Sequence, residues 1–153
     1  MGSYGGGIME ILNKRARFDY FIEEEIEAGI VLTGTEIKSI RAGKANIGDS
    51  YAIIRNNEIY LLNTHISEYT EGNRFNHDEV RTRKLLMHKK EILKLSNKVD
   101  IEGYTLIPLK IYFSKGRAKV LIGVCKGKKN YDKRETIKER DIKRKLEKDL
   151  KNY

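Results

Sequence analysis

The sequence predicts a small, mainly β protein: an antiparallel barrel of about six strands, with two or three packed helices and a basic C-terminal tail. In several segments apolar residues alternate with polar ones, which is typical of strands with one buried face. These segments are adjacent in sequence and joined by turn residues, which favours antiparallel hairpins. Because about six strands are too few for two full sheets, a barrel without exposed edges is the expected architecture.

The first predicted strand lies in the segment RFDYFIEEEIEAGIVL, where apolar residues recur at alternate positions from Phe18 to Ile30. The opposite face carries three glutamates: Glu23, Glu25 and Glu27. Glu24 interrupts the apolar face, so we expect a bulge or a bend there.

A short helix is predicted next in TGTEIKSIRAGK, because Thr33 and Glu36 have the spacing of a capping box and Gly43 suits a left-handed stop. The segment SYAIIRNNEIYLL then predicts a hairpin with its turn at Asn56–Asn57, since asparagine tolerates positive φ. A polar loop follows, from Ser67 to Val80.

The segment RTRKLLMHKKEILKLSNKV has helical spacing, with one apolar stripe: Leu85, Ile92, Leu95 and Val99. Arg81 and Arg83 are then expected just before or at the helix start. Two long strands are predicted in YTLIPLKIYFSKGRAKVLIGVCKG around a turn at Lys115–Gly116, with Pro108 at an edge or a bulge. A small barrel with a helix between hairpins is typical of the OB-fold.

The chain has 153 residues and a formal net charge of +9. This charge favours a polyanionic partner, nucleic acid first and an anionic membrane second. Cys125 has no second cysteine to pair with and no secretion signal is visible, so the expected compartment is the cytoplasm. We expect three segments: a disordered leader over residues 1–11, an OB-type RNA-binding barrel over 12–126 and the basic tail over 127–153. The composition of part of the leader is typical of a cloning scar.

Basic residues form four clusters on the predicted barrel. They are Lys14, Arg15 and Arg17, next to Asn13; Lys38, Arg41 and Lys44; Arg81, Arg83, Lys84, Lys89 and Lys90; and Lys115, Arg117 and Lys119. The charge of Arg81 and Arg83 opposes the dipole at a helix start, which favours a phosphate clamp over a solvated helix face. Six tyrosines offer rings for base stacking: Tyr20, Tyr51, Tyr60, Tyr69, Tyr104 and Tyr112.

Catalytic patterns are weak by comparison. The three histidines and the single cysteine lack metal-ligand spacing, and no activated nucleophile is recognisable. Glu23, Glu25 and Glu27 stand about 7 Å apart on one strand face. This pattern is typical of a strand face that is exposed to solvent. The alternative is a site where the three carboxylates hold a divalent metal for phosphodiester cleavage. A binding protein without enzyme activity, cofactor or metal is therefore expected.

The tail is strongly basic, with 12 Lys or Arg against 6 Asp or Glu from Lys126 to Tyr153. Asp132 and Glu135 have capping-box spacing, but the apolar stripe of this segment is too thin for a core. We predict that the tail is disordered in the free protein and helical on a large anion. A solubility tail is the alternative.

The sequence resembles the small protein B family, the SsrA-binding proteins of bacteria, which act with transfer-messenger RNA in ribosome rescue (trans-translation). The resemblance spreads from Leu12 to Asp141. It is carried by LNKRARFDYFIEEEIEAGIVLTGTEIKSIRAGKANIGDSYA, RTRKLLMHKKEI, EGYTL and KVLIGVCKGKKNYDKRETIKERD.

The resemblance implies an OB-type barrel that binds the tRNA-like domain of transfer-messenger RNA. It implies that the tail enters the decoding centre and the empty mRNA channel of a stalled ribosome, where it becomes helical. Elongation factor Tu is the further partner that it implies within the delivered complex. No membrane partner is expected.

By motif, the resemblance places four residues at positions that face RNA: Asn13, Glu27, Leu86 and Lys119. In the tail it implies ribosome contacts for Gly127, Lys128, Lys129, Tyr131, Asp132, Lys133, Arg134, Lys138 and Arg140. Tyr131 stands where a stacking aromatic or imidazole ring is expected, although tyrosine lacks a readily titrating nitrogen. Since a carboxylate does not pair with phosphate, we expect Glu27 to accept a hydrogen bond from a base amino group or a ribose 2′-OH.

Three alternatives stay open. One is a general single-strand RNA-binding OB protein without preference for a tRNA-like fold. The second is a metal-dependent RNA nuclease that uses the glutamate face. A membrane-surface protein is the third, disfavoured by the thin apolar stripe of the tail.

Overall fold

The computed structural model describes residues 10–69 and 77–128. In chain order the elements are β1 (Ile11–Leu12), α1 (Ala16–Asp19), β2 (Tyr20–Ile30), α2 (Gly34–Arg41), β3 (Ala45–Asn46), β4 (Tyr51–Arg55), β5 (Glu58–Leu62), β6 (His65–Ile66), β7 (Arg83–Leu86), α3 (Lys89–Asp100), β8 (Thr105–Ser114) and β9 (Arg117–Gly127). Among them is no helix long and apolar enough to cross a membrane.

Six strands form a closed antiparallel ring in the order β9, β2, β7, β5, β4 and β8, and the pairing of β8 with β9 closes it. Strand β1 pairs with β8 outside the ring, while β3 and β6 form a separate short ladder. Helix α3 lies in sequence between β7 and β8. The predicted mainly β, OB-type barrel is thus confirmed.

The apolar core fills the ring. Its fully buried members include residues from several strands and from α2, among them Ile40, Ile59, Leu61, Ile111 and Ile122. Helix α3 adds Ile92 and Leu95 to the same core. A smaller cluster lies on the other side of β8 and β9, where Ala16 of α1 packs with Ile107, Leu109 and Cys125.

The predicted helix start and both hairpin turns are confirmed. The Thr33 side chain accepts a hydrogen bond from the Glu36 N–H, and the Glu36 carboxylate accepts one from the Thr33 N–H, as a capping box requires. Asn56 and Asn57 both have positive φ, which matches the twist of a two-residue hairpin. The turn between β8 and β9 likewise uses positive φ at Lys115–Gly116.

Two irregularities appear close to where the sequence predicts them. Along β2, Ile22 pairs with Cys125 and Glu24 pairs with Val124, so Glu23 is an extra residue and the bulge lies one position before Glu24. Along β8, Leu121 pairs with Lys110 and Ile122 pairs with Pro108, which makes Leu109 the extra residue. Proline therefore stands beside a bulge, as its missing N–H favours.

Two segments differ from the prediction. The segment Arg83–Leu86 is strand β7 and the helix begins only at Lys89, so the expected helix start at Arg81 and Arg83 is wrong. Phe18 lies in the short helix α1 and is 80% exposed, not on the buried face of a strand. Ile11 of β1 is buried and pairs with Ile111 of β8.

Candidate nucleic-acid interface

One row of residues crosses four neighbouring strands on the outside of the barrel. Tyr112 of β8 pairs with Lys119 of β9, Lys119 pairs with Gly29 of β2, and Gly29 pairs with Leu86 of β7. We call these four residues, together with Glu27, the outer row. Three strand spacings separate its ends, a distance of roughly 14 Å. The row brings together Glu27, Leu86 and Lys119, which are far apart in sequence.

Glu27 is the centre of the polar contacts in the outer row. The Tyr112 hydroxyl donates a short hydrogen bond to a Glu27 carboxylate oxygen. Lys119 Nζ lies 3.9 Å from the other oxygen. Burial and this bond to a carboxylate raise the pKa of Tyr112 well above its usual value, so the phenol keeps its proton and remains the donor.

The carboxylate of Glu27 still faces solvent, with its side chain 52% exposed. A carboxylate has about four acceptor positions, and the two neighbours occupy only part of them. Gly29 has no side chain, and a Cβ there would lie 3.3 Å from Leu86 Cβ. The row therefore combines a partly satisfied acceptor, a cation, an aromatic ring and an exposed leucine. They surround Gly29, where the surface is low because there is no side chain.

The arginines of the RTRK segment have a different environment. The Glu36 carboxylate accepts hydrogen bonds from Arg83 Nε at 2.7 Å and from Arg81 Nη2 at 2.6 Å. The Arg83 guanidinium also donates to the carbonyls of Thr64 and Glu79. Both Glu36 and Arg83 are fully buried. Arg83 therefore cannot contact phosphate in this structure, and the predicted phosphate clamp is wrong for this residue.

Asn13 is also buried, at 8% exposure. Its side-chain amide donates to the Pro108 carbonyl at 2.9 Å and to the Ile47 carbonyl at 3.3 Å. Its side-chain oxygen accepts from the Ala16 N–H at 3.2 Å. These contacts hold α1 and the β8 bulge in place, and the predicted contact of Asn13 with RNA stays a prediction.

The other predicted cations lie at the surface but are not members of the outer row, although Lys84 lies two positions before Leu86 on the exposed face of β7. Lys38 lies over the Tyr69 ring and Arg41 over the Phe113 ring, at the C-terminal half of α2. Lys84 pairs with Glu58 at 2.7 Å. Lys14 and Lys44 are among the exposed cations that have no ion pair in the described part of the chain, whereas Arg15 lies 3.8 Å from Asp19.

The glutamate face does not gather into one site. Glu23 accepts a hydrogen bond from Tyr104, Glu25 lies 3.8 Å from Arg17, and Glu27 belongs to the outer row. Within residues 10–69 and 77–128, no group of three potential ligand side chains converges on a metal position. The tail residues from Lys129 to Arg140 lie outside the described residues, and so does most of the predicted leader.

The comparisons with known proteins point to one family. The family model described as SmpB protein matches residues 10–152, nearly the whole chain. The chain belongs to the SmpB family.

Similar members of the SmpB family come from several bacteria. An SsrA-binding protein of Shouchella clausii is 59% identical over 151 residues, covering 99% of this chain and 97% of that protein. One of Halalkalibacterium halodurans is 61% identical, covering 91% of this chain and 90% of that protein. The fold also matches a chain of the solved structure described as "tmRNA-SmpB: a journey to the center of the bacterial ribosome", with 50% identity and a TM-score of 0.69 over 84% of this chain and 89% of that one.

Two members of the outer row were not singled out by sequence reasoning. Tyr112 appeared only as one of six possible stacking rings, although the turn at Lys115–Gly116 already implies that it pairs with Lys119. Gly29 gave no signal, because its importance depends on Leu86, which is 57 positions away along the chain. In this SmpB-family barrel, the non-local pairing of β2 with β7 creates the site.

Proposed function

We propose that this chain binds the tRNA-like domain of transfer-messenger RNA and delivers it to stalled ribosomes for trans-translation. The observation that carries the proposal is the outer row, where Glu27, Leu86 and Lys119 meet on one exposed face. Family membership supports it, since the similar proteins are SsrA-binding proteins. A chain with net charge +9 suits a polyanionic partner.

In this proposal the outer row recognises folded RNA through both charge and hydrogen bonding. Lys119 contacts a phosphate, while the Glu27 carboxylate accepts from a base amino group or a ribose 2′-OH. Exposed cations on and near α2, with Lys14 and Arg15, add attraction that does not depend on sequence. The same proposal has three further parts. The protein acts in the cytoplasm, elongation factor Tu is a further partner, and the tail contacts the ribosome.

The test is an electrophoretic shift titration with three RNAs at two salt concentrations. The RNAs are the tRNA-like domain of transfer-messenger RNA, an ordinary tRNA and an unstructured oligonucleotide. We expect a strong preference for the first that survives moderate salt. Equal binding to all three that collapses with salt would instead indicate a generic basic surface.

The division between barrel and tail is tested by deleting everything after Lys128, the last described residue. We expect most of the affinity for the tRNA-like domain to remain and ribosome rescue to be lost. A loss of most RNA affinity would contradict this division. Thermal unfolding of the shortened chain is the control that the barrel still folds.

A further inference from the structure

A second aromatic and basic surface lies at the far end of β2 from Glu27. Phe21 of β2 pairs with Lys126 of β9, and Lys126 Nζ lies 4.5 Å from the centroid of the Tyr104 ring. Glu27 lies six positions after Phe21 along the strand, a distance of roughly 20 Å. This surface is therefore distinct from the outer row.

The surface holds a shallow depression that is wide open to solvent. A cleft of about 280 Å³ is lined by Phe21, Ile22, Glu23, Tyr104 and Lys126. The β2 bulge places its extra residue, Glu23, at this point of the ladder. Bulges are frequent next to binding sites, because they redirect side chains from a regular sheet.

Aromatic rings and lysines alternate around the cleft. Phe21 is 50% exposed, and Lys128 Nζ lies 5.2 Å from the centroid of its ring. The Lys128 ammonium also donates to the Arg17 carbonyl at 2.7 Å, which holds it beside the cleft. Phe18, which is 80% exposed, lies three positions before Phe21, in α1.

The acidic residues nearby are already engaged. Tyr104 donates a hydrogen bond to Glu23, and this bond, together with burial, raises the pKa of Tyr104 to about 12. Glu24 lies 3.6 Å from Lys98. Lys126 forms no ion pair with any side chain that the structure describes. Counting the Lys126 and Lys128 ammonium groups against the Glu23 carboxylate, the cleft and its edge carry a net positive charge of one.

We propose that this cleft binds an unpaired RNA nucleotide, with its base stacked on Phe21 and its phosphates on Lys126 and Lys128. A base offers a flat π-face to the ring, and a phosphate complements the lysines, which is how proteins hold single-stranded RNA. The inference goes beyond the proposed function, because it assigns a second RNA contact next to the point where the tail leaves the barrel. The nucleotide can come from transfer-messenger RNA or from ribosomal RNA.

The test uses the full chain and a short single-stranded RNA that carries 2-aminopurine, whose fluorescence falls when it stacks. The variant Phe21→Leu keeps an apolar side chain of similar size but removes the ring. We expect its affinity for this RNA to fall by roughly 5- to 100-fold and the stacking signal to be lost. Leu93→Ala is the matched control, since Leu93 is also half exposed but lies on α3; it should bind like the parent.

Two further probes identify the source of the nucleotide. If Phe21→Leu binds small ribosomal subunits more weakly but keeps its affinity for the isolated tRNA-like domain, the nucleotide is ribosomal. A loss on the tRNA-like domain itself assigns it to transfer-messenger RNA. The proposal is overturned if Phe21→Leu matches the parent on the oligonucleotide while Lys126→Ala weakens binding, because charge without stacking would then explain the surface.

Discussion

Two clusters in this barrel use the same kinds of charged residue in opposite ways. In the outer row, the carboxylate of Glu27 is 52% exposed and the side chain of Lys119 is 28% exposed. In the cluster around Glu36, which we call the buried ion network, both Glu36 and Arg83 are fully buried and Arg81 is partly covered. Exposure, not residue type, separates a binding surface from a structural support.

The energetic consequence follows from solvent. An exposed ion pair contributes about 0–1 kcal/mol to stability, because water screens both charges. A buried charge that loses its partner is strongly destabilising, since nothing replaces its lost hydration. Substitutions in the buried ion network should therefore affect folding, and substitutions in the outer row should affect RNA binding.

The largest expected effect is at Arg83. We expect Arg83→Met to lower the free energy of unfolding by about 3–5 kcal/mol, because Glu36 and the carbonyls that Arg83 bonds would lose a buried donor. Urea denaturation monitored by circular dichroism measures this loss. Arg81→Met is the matched control: its side chain is 31% exposed, so its loss should be clearly smaller. Equal losses for the two variants would contradict the contrast.

The buried ion network should also make stability depend on pH. Burial alone would raise the pKa of Glu36, but the hydrogen bonds from Arg81 and the Thr33 N–H, with the charge of Arg83, lower it below its usual 4.5. A lowered pKa contributes stability that is complete above about pH 4.5 and is lost as the pH falls through the pKa of the folded state.

Denaturation at several acidic pH values tests this dependence. Glu36→Gln cannot titrate, so its stability should fall less steeply than that of the parent below about pH 4.5. Glu58→Gln, at an exposed ion pair, serves as the control and should keep the slope of the parent. Identical slopes for Glu36→Gln and the parent would show that the network does not hold this carboxylate in its charged form.

In the outer row, Glu27→Ala should change recognition rather than folding. We expect it to weaken the cognate tRNA-like RNA by roughly 10- to 100-fold, the range for a hydrogen bond to a charged group, and a random duplex much less. Its unfolding free energy should stay within about 0.5 kcal/mol of the parent. Parallel shift titrations with both RNAs measure the ratio, and an equal loss on both would count against a specificity contact.

The smallest expected effect is at Tyr112. Tyr112→Phe keeps the ring but removes the hydroxyl that orients Glu27, and we expect roughly a 2- to 10-fold loss of affinity for the same RNA. In the background of Glu27→Ala this loss should vanish, because the hydroxyl would have nothing to orient. A loss that persists in the double variant would mean that Tyr112 acts on RNA independently of Glu27.

Local signals predicted much of the barrel. The capping box of α2, the positive φ at Asn56–Asn57 and the turn at Lys115–Gly116 depend on residues within a few positions of each other, and all three are confirmed. Tail residues such as Tyr131 stay predictions. The structure brings Glu27, Leu86 and Lys119, which the resemblance singled out, onto one surface, and their contact with RNA stays a prediction.

The failures have one physical cause. The residues Arg83–Leu86 alternate between buried and exposed over only four positions, too few to separate a strand from the first turn of the helix that follows. Their strand state comes from pairing with β2 and β5, which are distant in sequence. The burial of Asn13 was not foreseen for the same reason, since its hydrogen-bond partners Ile47 and Pro108 are 34 and 95 positions away.

The sequence by itself therefore determined the strands with long alternating patterns, the turns, the basic character and the family, because each depends on local backbone preference, composition or direct similarity. Only the tertiary structure decided which charges are buried, since burial depends on contacts between distant segments. It placed Arg83 beside Glu36 in the interior and left Lys119 beside Glu27 at the surface. Closure of the barrel made one carboxylate a structural support and left the other exposed at the surface.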